Sequence, residues 1–183
     1  MISIVILNYN GEKLLRLCLD SVLALNCKDK EVIFIDNASS DDSVEFVLKA
    51  YPSVRVIANI ENSGYAGGAN QAVSVSGGEF VLILNPDIVF EPDYLDILMQ
   101  RLKSDSGIGA IIGKLRKYDF KHGLKTNTID SAGLLMFRNR RCVDRGQGEE
   151  DYGQYDSAEE VFGVTGACPL YRRAALEDCK IGG

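Results

Sequence analysis

Asn85, Pro86 and Asp87 stand between two apolar runs, Phe80 to Leu84 and Ile88 to Phe90. A carboxylate between hydrophobic segments costs free energy unless a cation or hydrogen-bond donors compensate it. Pro86 fixes its own φ and biases Asn85 toward extended geometry, so both polar side chains leave the run on a stiff backbone. Asp87 is therefore a candidate ligand for a divalent metal that holds a phosphorylated compound. The same three residues are ordinary turn formers, and on this stretch alone a metal site and a plain turn are equally open. Three other apolar runs end in the same way. Ser3 to Leu7 leads into Asn8, Tyr9 and Asn10; Glu31 to Asp36 ends on Asp36 and Asn37; Val54 to Ala58 is followed by Asn59 and Asn62. Asn and Asp begin turns anywhere, but their recurrence at four successive strand ends points to one shared binding edge.

The elements that must position these groups follow from hydrophobic periodicity. After the first run, Leu14, Leu15, Cys18, Leu19, Val22 and Leu25 recur at helical spacing. Ser40, Asp41 and Asp42 are N-cap candidates for a second helix carrying Val44, Val47 and Leu48, which should end before Pro52. The glycine-rich "NSGYAGGANQAV" leads into a short helix from about Gly67 to Val75. "EPDYLDILMQRL" is predicted as the next helix, with Pro92 suited to its first turn. Five unbroken apolar residues, Phe80 to Leu84, read as a strand buried on both faces. Four strand–helix units predict an α/β fold, a Rossmann-like doubly wound and mostly parallel sheet flanked by helices. Such sheets bind ligands beyond the carboxyl ends of their strands.

The second half is predicted to be mixed or antiparallel. A fifth strand is expected over Gly107 to Leu115, polar residues run to Asn127, and a sixth strand covers Asp130 to Phe137. Arg138, Arg140, Arg141 and Arg145 follow, in a loop that continues through "GQGEEDYGQYDS". They read as a solvated, self-neutralising loop, or as a flap with an arginine that reaches a phosphate. "EVFGVTGACPLYRR" adds strand-like segments and "AALEDC" starts a last helix.

Composition narrows the function classes. Hydrophobic residues at 46% and charged ones at 25% are ordinary globular values, which excludes disorder and collagen-like repeats. A net charge of −6 argues against a nucleic-acid partner. No apolar run approaches the roughly 20 residues of a membrane span, and the N-terminus lacks the features of a signal peptide. Five cysteines, odd in number and without CxxC spacing, suit free thiols in a reducing cytoplasm rather than a zinc site. His122 lies in a polar stretch and reads as a surface residue. "NYNGEK" is not the GxGxxG of a dinucleotide site, no GxxxxGK[ST] occurs, and no nucleophile elbow is present. What remains is a nucleotide whose phosphates are handled by a metal on Asp87, and hence transfer from an activated nucleotide.

"SIVILNYNGEKLLRLCLDSVL", "VIFIDNASSDDS", "ENSGYAGGANQA" and "LILNPDI" resemble the successive N-terminal motifs of family 2 glycosyltransferases of the GT-A fold. "DSAG", "RGQGEEDYGQYD" and "VFGVTGACPLYRR" extend the likeness, in particular to the rhamnosyltransferase-like branch that builds bacterial surface polysaccharides. The resemblance implies an inverting transfer of sugar from a nucleotide donor to a growing polysaccharide or lipid-linked acceptor. dTDP-rhamnose is the first expected donor, with UDP- and GDP-sugars as alternatives. The location would be cytoplasmic, with peripheral association at the inner membrane face an option.

In this resemblance Asp36, next to Asn37, binds the donor base, and Asn8, Tyr9 and Asn10 line the same pocket. Asn62, Gly64 and Asn70 lie on the nucleotide–sugar side. Asn85 faces the ribose, and Asp87 binds Mg²⁺ or Mn²⁺ on the diphosphate. Asn85 stands where the family has an Asp, which removes one negative charge, so the metal should be held less tightly without donor. Inverting transfer also needs a general base. The family carries it in an acidic segment after the region matching "VTGACPLYRR", so it is expected beyond Gly183, and neither Glu177 nor Asp178 is assigned the role. One GT-A domain over residues 1–183 follows, with a nucleotide-binding half over 1–105 and the start of an acceptor-side half over 106–183. The alternative is a non-catalytic module that keeps the fold as a nucleotide-sugar-binding or protein-interaction surface.

Overall fold

The structure, a computed structural model, describes residues 1–180. The first half alternates strands and helices: β1 (Ile2–Asn8), α1 (Glu12–Leu23), β2 (Lys30–Asp36), α2 (Ser43–Ala50), β3 (Arg55–Ala58), α3 (Gly64–Val75), β4 (Phe80–Leu84) and α4 (Tyr94–Ser104). The second half adds β5 (Ala110–Ile111), β6 (Leu115–Asp119), β7 (Leu124–Ser131), β8 (Leu134–Met136), β9 (Cys142–Asp144), β10 (Leu170–Arg172) and α5 (Arg173–Asp178). The main sheet has the order β3-β2-β1-β4-β10-β5. Its first four strands are parallel, and β10 runs antiparallel to both of its neighbours. This is the doubly wound, mostly parallel α/β sheet expected from the strand–helix alternation.

Burial on both faces explains why these strands are unbroken apolar runs. Ile2, Ile4, Ile6, Phe34, Leu82 and Leu84 pack with Leu15, Leu19 and Val22 of α1, Val47 of α2 and Leu95, Leu98 and Leu102 of α4. Their sequence neighbours Val5, Leu7, Ile33, Ile35, Val81 and Ile83 pack on the other side with Ala69, Ala72 and Val73 of α3. The period-2 alternation thus fixes which helix lies on which face. It also fixes register, which pairs Asn8 with Asp36 and Ile6 with Leu84. β1 has β2 on one side and β4 on the other, so the chain reverses its direction of winding there, the usual place for a ligand crevice.

The second half departs from the expected strands for identifiable reasons. The run from Gly107 to Leu115 is interrupted: it forms the two-residue β5, and Leu115 already begins β6, with the Tyr94 ring packed beside Gly113 between them. A Cβ on Gly113 would lie 2.6 Å from that ring, and the Gly113 N–H donates to the Tyr94 hydroxyl at 3.2 Å. The polar stretch to Asn127 is regular structure. It builds the antiparallel β6–β7 hairpin, whose turn carries Gly123 at φ 68 and the exposed His122. The expected strand from Asp130 to Phe137 is cut in two at Gly133, which has φ 98 and Val161 where a Cβ would sit. α3 begins three residues earlier than expected, so the glycine-rich turn is its first turn, while α4 begins at Tyr94, two residues past Pro92. The acidic loop is not a free solvated segment either. It lies along β7 through Ile129 N–H to Glu149 C=O (2.8 Å) and Asp151 N–H to Asn127 C=O (2.7 Å). Lys114 clamps it through Asp151 (2.7 Å) and Asp156 (2.6 Å).

Two consecutive arginines lock the sheet to its helices. Arg172 donates to the carbonyls of Leu102 (2.8 Å), Asp105 (3.3 Å) and Ile108 (3.1 Å) at the end of α4. Arg173 donates to those of Val73 (3.0 Å), Ser76 (2.9 Å) and Gly78 (2.6 Å) at the end of α3. The last carbonyls of a helix have no internal partners and carry the negative end of its dipole, so guanidinium groups suit them. Arg173→Met should lower folding stability by about 2–3 kcal/mol, since several part-buried acceptors lose charged donors. Urea denaturation of the two proteins measures the difference.

Candidate functional site

The exits of β1, β2 and β3 are tied together by side chains under the binding edge. Asn8 closes β1 and is 1% exposed; Asp36 closes β2 and is 2% exposed. The Asn8 amide donates to Asp36 Oδ1 at 2.8 Å and to Ser39 Oγ at 3.2 Å. The Ser39 hydroxyl and N–H donate in turn to the two Asp36 oxygens at 2.6 and 2.8 Å. A buried carboxylate needs such donors to offset its lost hydration. Asn10 bridges the same loops, with its N–H donating to Ser39 Oγ and its Oδ1 accepting from the Ser40 N–H, both at 2.8 Å. Asn10 and Ala38 take left-handed φ values of 54° and 64°. Asn tolerates this region, whereas for Ala it costs on the order of 1 kcal/mol. Ala38 is held there by the Asp36 bonds on either side of it.

Asn37 is the second hub. Its amide donates to Asn62 Oδ1 (2.8 Å) and the Gly64 carbonyl (3.1 Å), and its Oδ1 accepts from Asn59 (3.3 Å) and the Ser63 N–H (3.2 Å). Asn59 and Gln71 exchange both amide bonds, at 2.8 and 2.9 Å, which fastens the β3 exit to α3. Gly64 at φ 71 lets the chain turn into α3 there.

Above these hubs lies a cleft of about 310 Å³. Asn8, Tyr9, Asn37, Asn62, Gly64 and Asn85 line it, with Leu7, Ile35, Tyr65, Gly68 and Pro86 as the apolar wall. Tyr9 is 55% exposed and presents its ring. Tyr65 donates its hydroxyl to the Gly166 carbonyl at 2.6 Å, so the segment before β10 closes one side. A larger hollow of about 560 Å³ is lined only by residues of the 41–49 stretch. Residues that follow all four parallel strands line the smaller cleft.

Of the residues singled out from the sequence, Asn8, Tyr9, Asn37, Asn62, Gly64 and Asn85 meet at this cleft. Asn10 and Asp36 brace it from below. Asn70 lies outside it: α3 lays Gly68 and Ala72 against β1 and the sheet, and two residues after Gly68 means about 200° around the helix. Asn85 is fixed by its N–H, which donates to the Ala167 carbonyl at 3.0 Å. Asp87 is exposed just beyond it. Burial, with the Asp87 carboxylate adding, pushes the thiols of Cys18 and Cys168 up to about 12, so both stay neutral as apolar packing behind the β4 exit. No cluster of three or more His, Cys, Asp or Glu side chains occurs among the described residues. A single exposed carboxylate fits a Mg²⁺- or Mn²⁺-type ion that completes its shell with water and ligand phosphates, rather than one caged by protein. Arg145 does not serve as a phosphate arm here, because it pairs with Glu159 and stacks 4.5 Å from the Tyr155 ring centroid. The segment expected to follow Gly182 and Gly183 lies outside the described residues.

The family model described as Glycosyl transferase family 2 matches residues 3–180. The chain belongs to glycosyl transferase family 2. It is 27% identical over 173 residues to the poly-beta-1,6-N-acetyl-D-glucosamine synthase of Staphylococcus aureus (strain COL), covering 93% of this chain and 39% of that protein. It is 26% identical over 180 residues to the same synthase of Staphylococcus epidermidis, covering 97% of this chain and 40% of that protein. The chain thus spans about two fifths of the length of these curated relatives. Among solved structures, the mannosyltransferase PcManGT from Pyrobaculum calidifontis, in complex with GDP-Man and Mn²⁺, superposes with a TM-score of 0.65 at 20% identity, over 97% of this chain and 46% of that one. Staphylococcus aureus TarS 1–349 in complex with UDP-GlcNAc gives 0.64 at 21%, with the same coverages of 97% and 46%. Both share the fold.

Sequence reasoning missed three groups at this cleft and its braces: Ser39, Tyr65 and Gly11. Ser39 sits in the same "IDNASSD" stretch as Asp36, and the spacing of three residues that lets a hydroxyl fold back onto a carboxylate was the available signal. Gly11 begins α1 where a Cβ would lie 2.3 Å from Asn8 Oδ1 and 3.0 Å from Pro86. Asn8 Oδ1 is itself buried without a partner, so the amide has no slack. Gly11→Ala should displace the Asn8 amide and destabilise the fold by about 1–3 kcal/mol, the usual cost of overpacking. Thermal or chemical denaturation reports it, and a neutral result would show that the amide can rotate freely.

Proposed function

We propose that the chain binds the nucleotide-diphosphate sugar donor of an inverting glycosyltransferase. The observation that carries this reading is the convergence of Asn8, Tyr9, Asn37, Asn62, Gly64 and Asn85 on one cleft where β1 and β4 diverge. The amides of Asn62 and Asn85 suit a base edge and sugar hydroxyls, Asn8 and Asn37 hold the cleft's shape, and the exposed Tyr9 ring offers a stacking face. Asp36 contributes through Asn8 and Ser39, fixing the floor on which the base would rest. Asn85 supplies a hydrogen bond to a ribose hydroxyl.

Asp87, past the Pro86 corner, is where a divalent ion on the donor diphosphate would be held. A bound ion supplies positive charge against the charge that develops on the leaving diphosphate. The acceptor in this reading is a saccharide or lipid-linked saccharide, since the curated relatives are named as synthases of a polysaccharide. dTDP-rhamnose is the first donor to test, on the motif likeness to rhamnosyltransferases. The UDP-GlcNAc and GDP-Man of the solved neighbours are the alternatives.

Thermal denaturation with dTDP, UDP or GDP, each with and without Mg²⁺ or Mn²⁺, tests the reading. A matching nucleotide at about 100 times its Kd should stabilise the fold by roughly 2.7 kcal/mol. Asp87→Ala should remove the metal-dependent part of that gain and leave the metal-independent part. No response to any of the three diphosphates would overturn donor binding and leave an interaction module.

A further inference from the structure

β8 and β9 form a two-stranded ribbon outside the main sheet, paired Leu134 to Asp144, Leu135 to Val143 and Met136 to Cys142. Its turn is closed by Phe137 N–H to Arg141 C=O (2.9 Å) and Arg140 N–H to Phe137 C=O (2.8 Å), with Arg140 at φ 65. A strand alternates its side chains between faces, so a ribbon packed against protein shows one apolar and one polar face. This one does not. Leu135, Met136 and Phe137 follow one another and are 42%, 45% and 51% exposed, which leaves apolar groups on both faces near the tip. Arg138, Arg140 and Arg141 form the turn itself, all exposed and without an ion-pair partner among the described residues. They are a basic island on a chain of net charge −6.

We propose that this ribbon tip inserts into the headgroup layer of an anionic lipid bilayer. A lipid surface surrounds a wedge and so accepts apolar side chains on both of its faces, whereas a flat protein partner would cover only one. The arginines then lie at the depth of the lipid phosphates, and their charge is of the sign that an anionic leaflet attracts. Three residues of strand reach about 10 Å, comparable to the depth at which interfacial segments bury their apolar side chains. The root of the ribbon is anchored, since Leu134 N–H donates to the Gly163 carbonyl at 2.8 Å. Three residues further on, Gly166 accepts from Tyr65 on the cleft wall. The root of the ribbon is thus joined, through the segment 163–166, to the wall of the cleft. The inference stands on the ribbon alone and does not depend on which nucleotide the cleft takes.

Co-sedimentation with phosphatidylcholine vesicles, with and without phosphatidylglycerol, tests it. The chain should bind the vesicles that contain phosphatidylglycerol, bind pure phosphatidylcholine weakly, and be released by high salt. Arg138→Gln with Arg141→Gln should lower the partition coefficient about thirty-fold, and Phe137→Ser about tenfold or more. All three positions are exposed, so melting temperature and the response to nucleoside diphosphates should stay unchanged. Absence of binding to both vesicle types, or binding that neither variant weakens, would overturn the proposal. So would self-association in solution that Phe137→Ser abolishes without any effect on vesicle binding, which would make the tip a contact between copies of this chain.

Discussion

Strand register in a sheet buried on both faces governs everything else in this molecule. β1, β2 and β4 have no polar face to spare, and a one-residue slip would exchange the side chains packed on α1, α2 and α4 with those packed on α3. The register that satisfies both faces brings Asn8 opposite Asp36. The buried amide and carboxylate then meet at 2.8 Å, with Ser39 completing the set. Packing of apolar side chains thereby determines the position of the polar ones, and the cleft is a consequence of core geometry.

The loops beyond the strands are built differently from the sheet. Their shape rests on side-chain to backbone bonds and on unusual backbone conformations at Asn10, Ala38 and Gly64. Left-handed residues persist only where surrounding bonds over-determine them, and here Asp36, Asn37 and Ser39 supply those bonds. A rigid sheet thus carries short, strained and well-braced loops. That combination holds amide groups in place around an open cleft of about 310 Å³. Asp87 stands exposed just past this braced set, beyond the Pro86 corner.

The second half follows another logic, in which charge replaces apolar burial. Lys114 holds Asp151 and Asp156, Arg145 holds Glu159 and stacks on Tyr155, and Arg172 and Arg173 cap the ends of two helices. These pairings join residues 10 to 100 positions apart. They turn a charged, glycine-rich stretch into an ordered layer beside β7. The only basic groups of this region left unpaired among the described residues 131–148 are those of the ribbon tip.

The sequence by itself determined the four parallel strands, their helices and the polar exits, because each rests on a local signal: an apolar run, a helical period, an Asn or Asp at the boundary. It also carried the family likeness, since the motifs are contiguous. Tertiary structure alone decided which exits meet, and that Asn70 does not join them, because a helix must turn its small residues toward the sheet. It decided that Ser39, Tyr65 and Gly11 adjoin the cleft and the residues that brace it, for their contacts lie with strands and loops distant in the chain. It also decided the fate of the second half. There strands stop at Gly113 and Gly133, with Tyr94 and Val161 packed in the space where a Cβ would sit, and no local pattern records a neighbour that arrives from elsewhere in the chain.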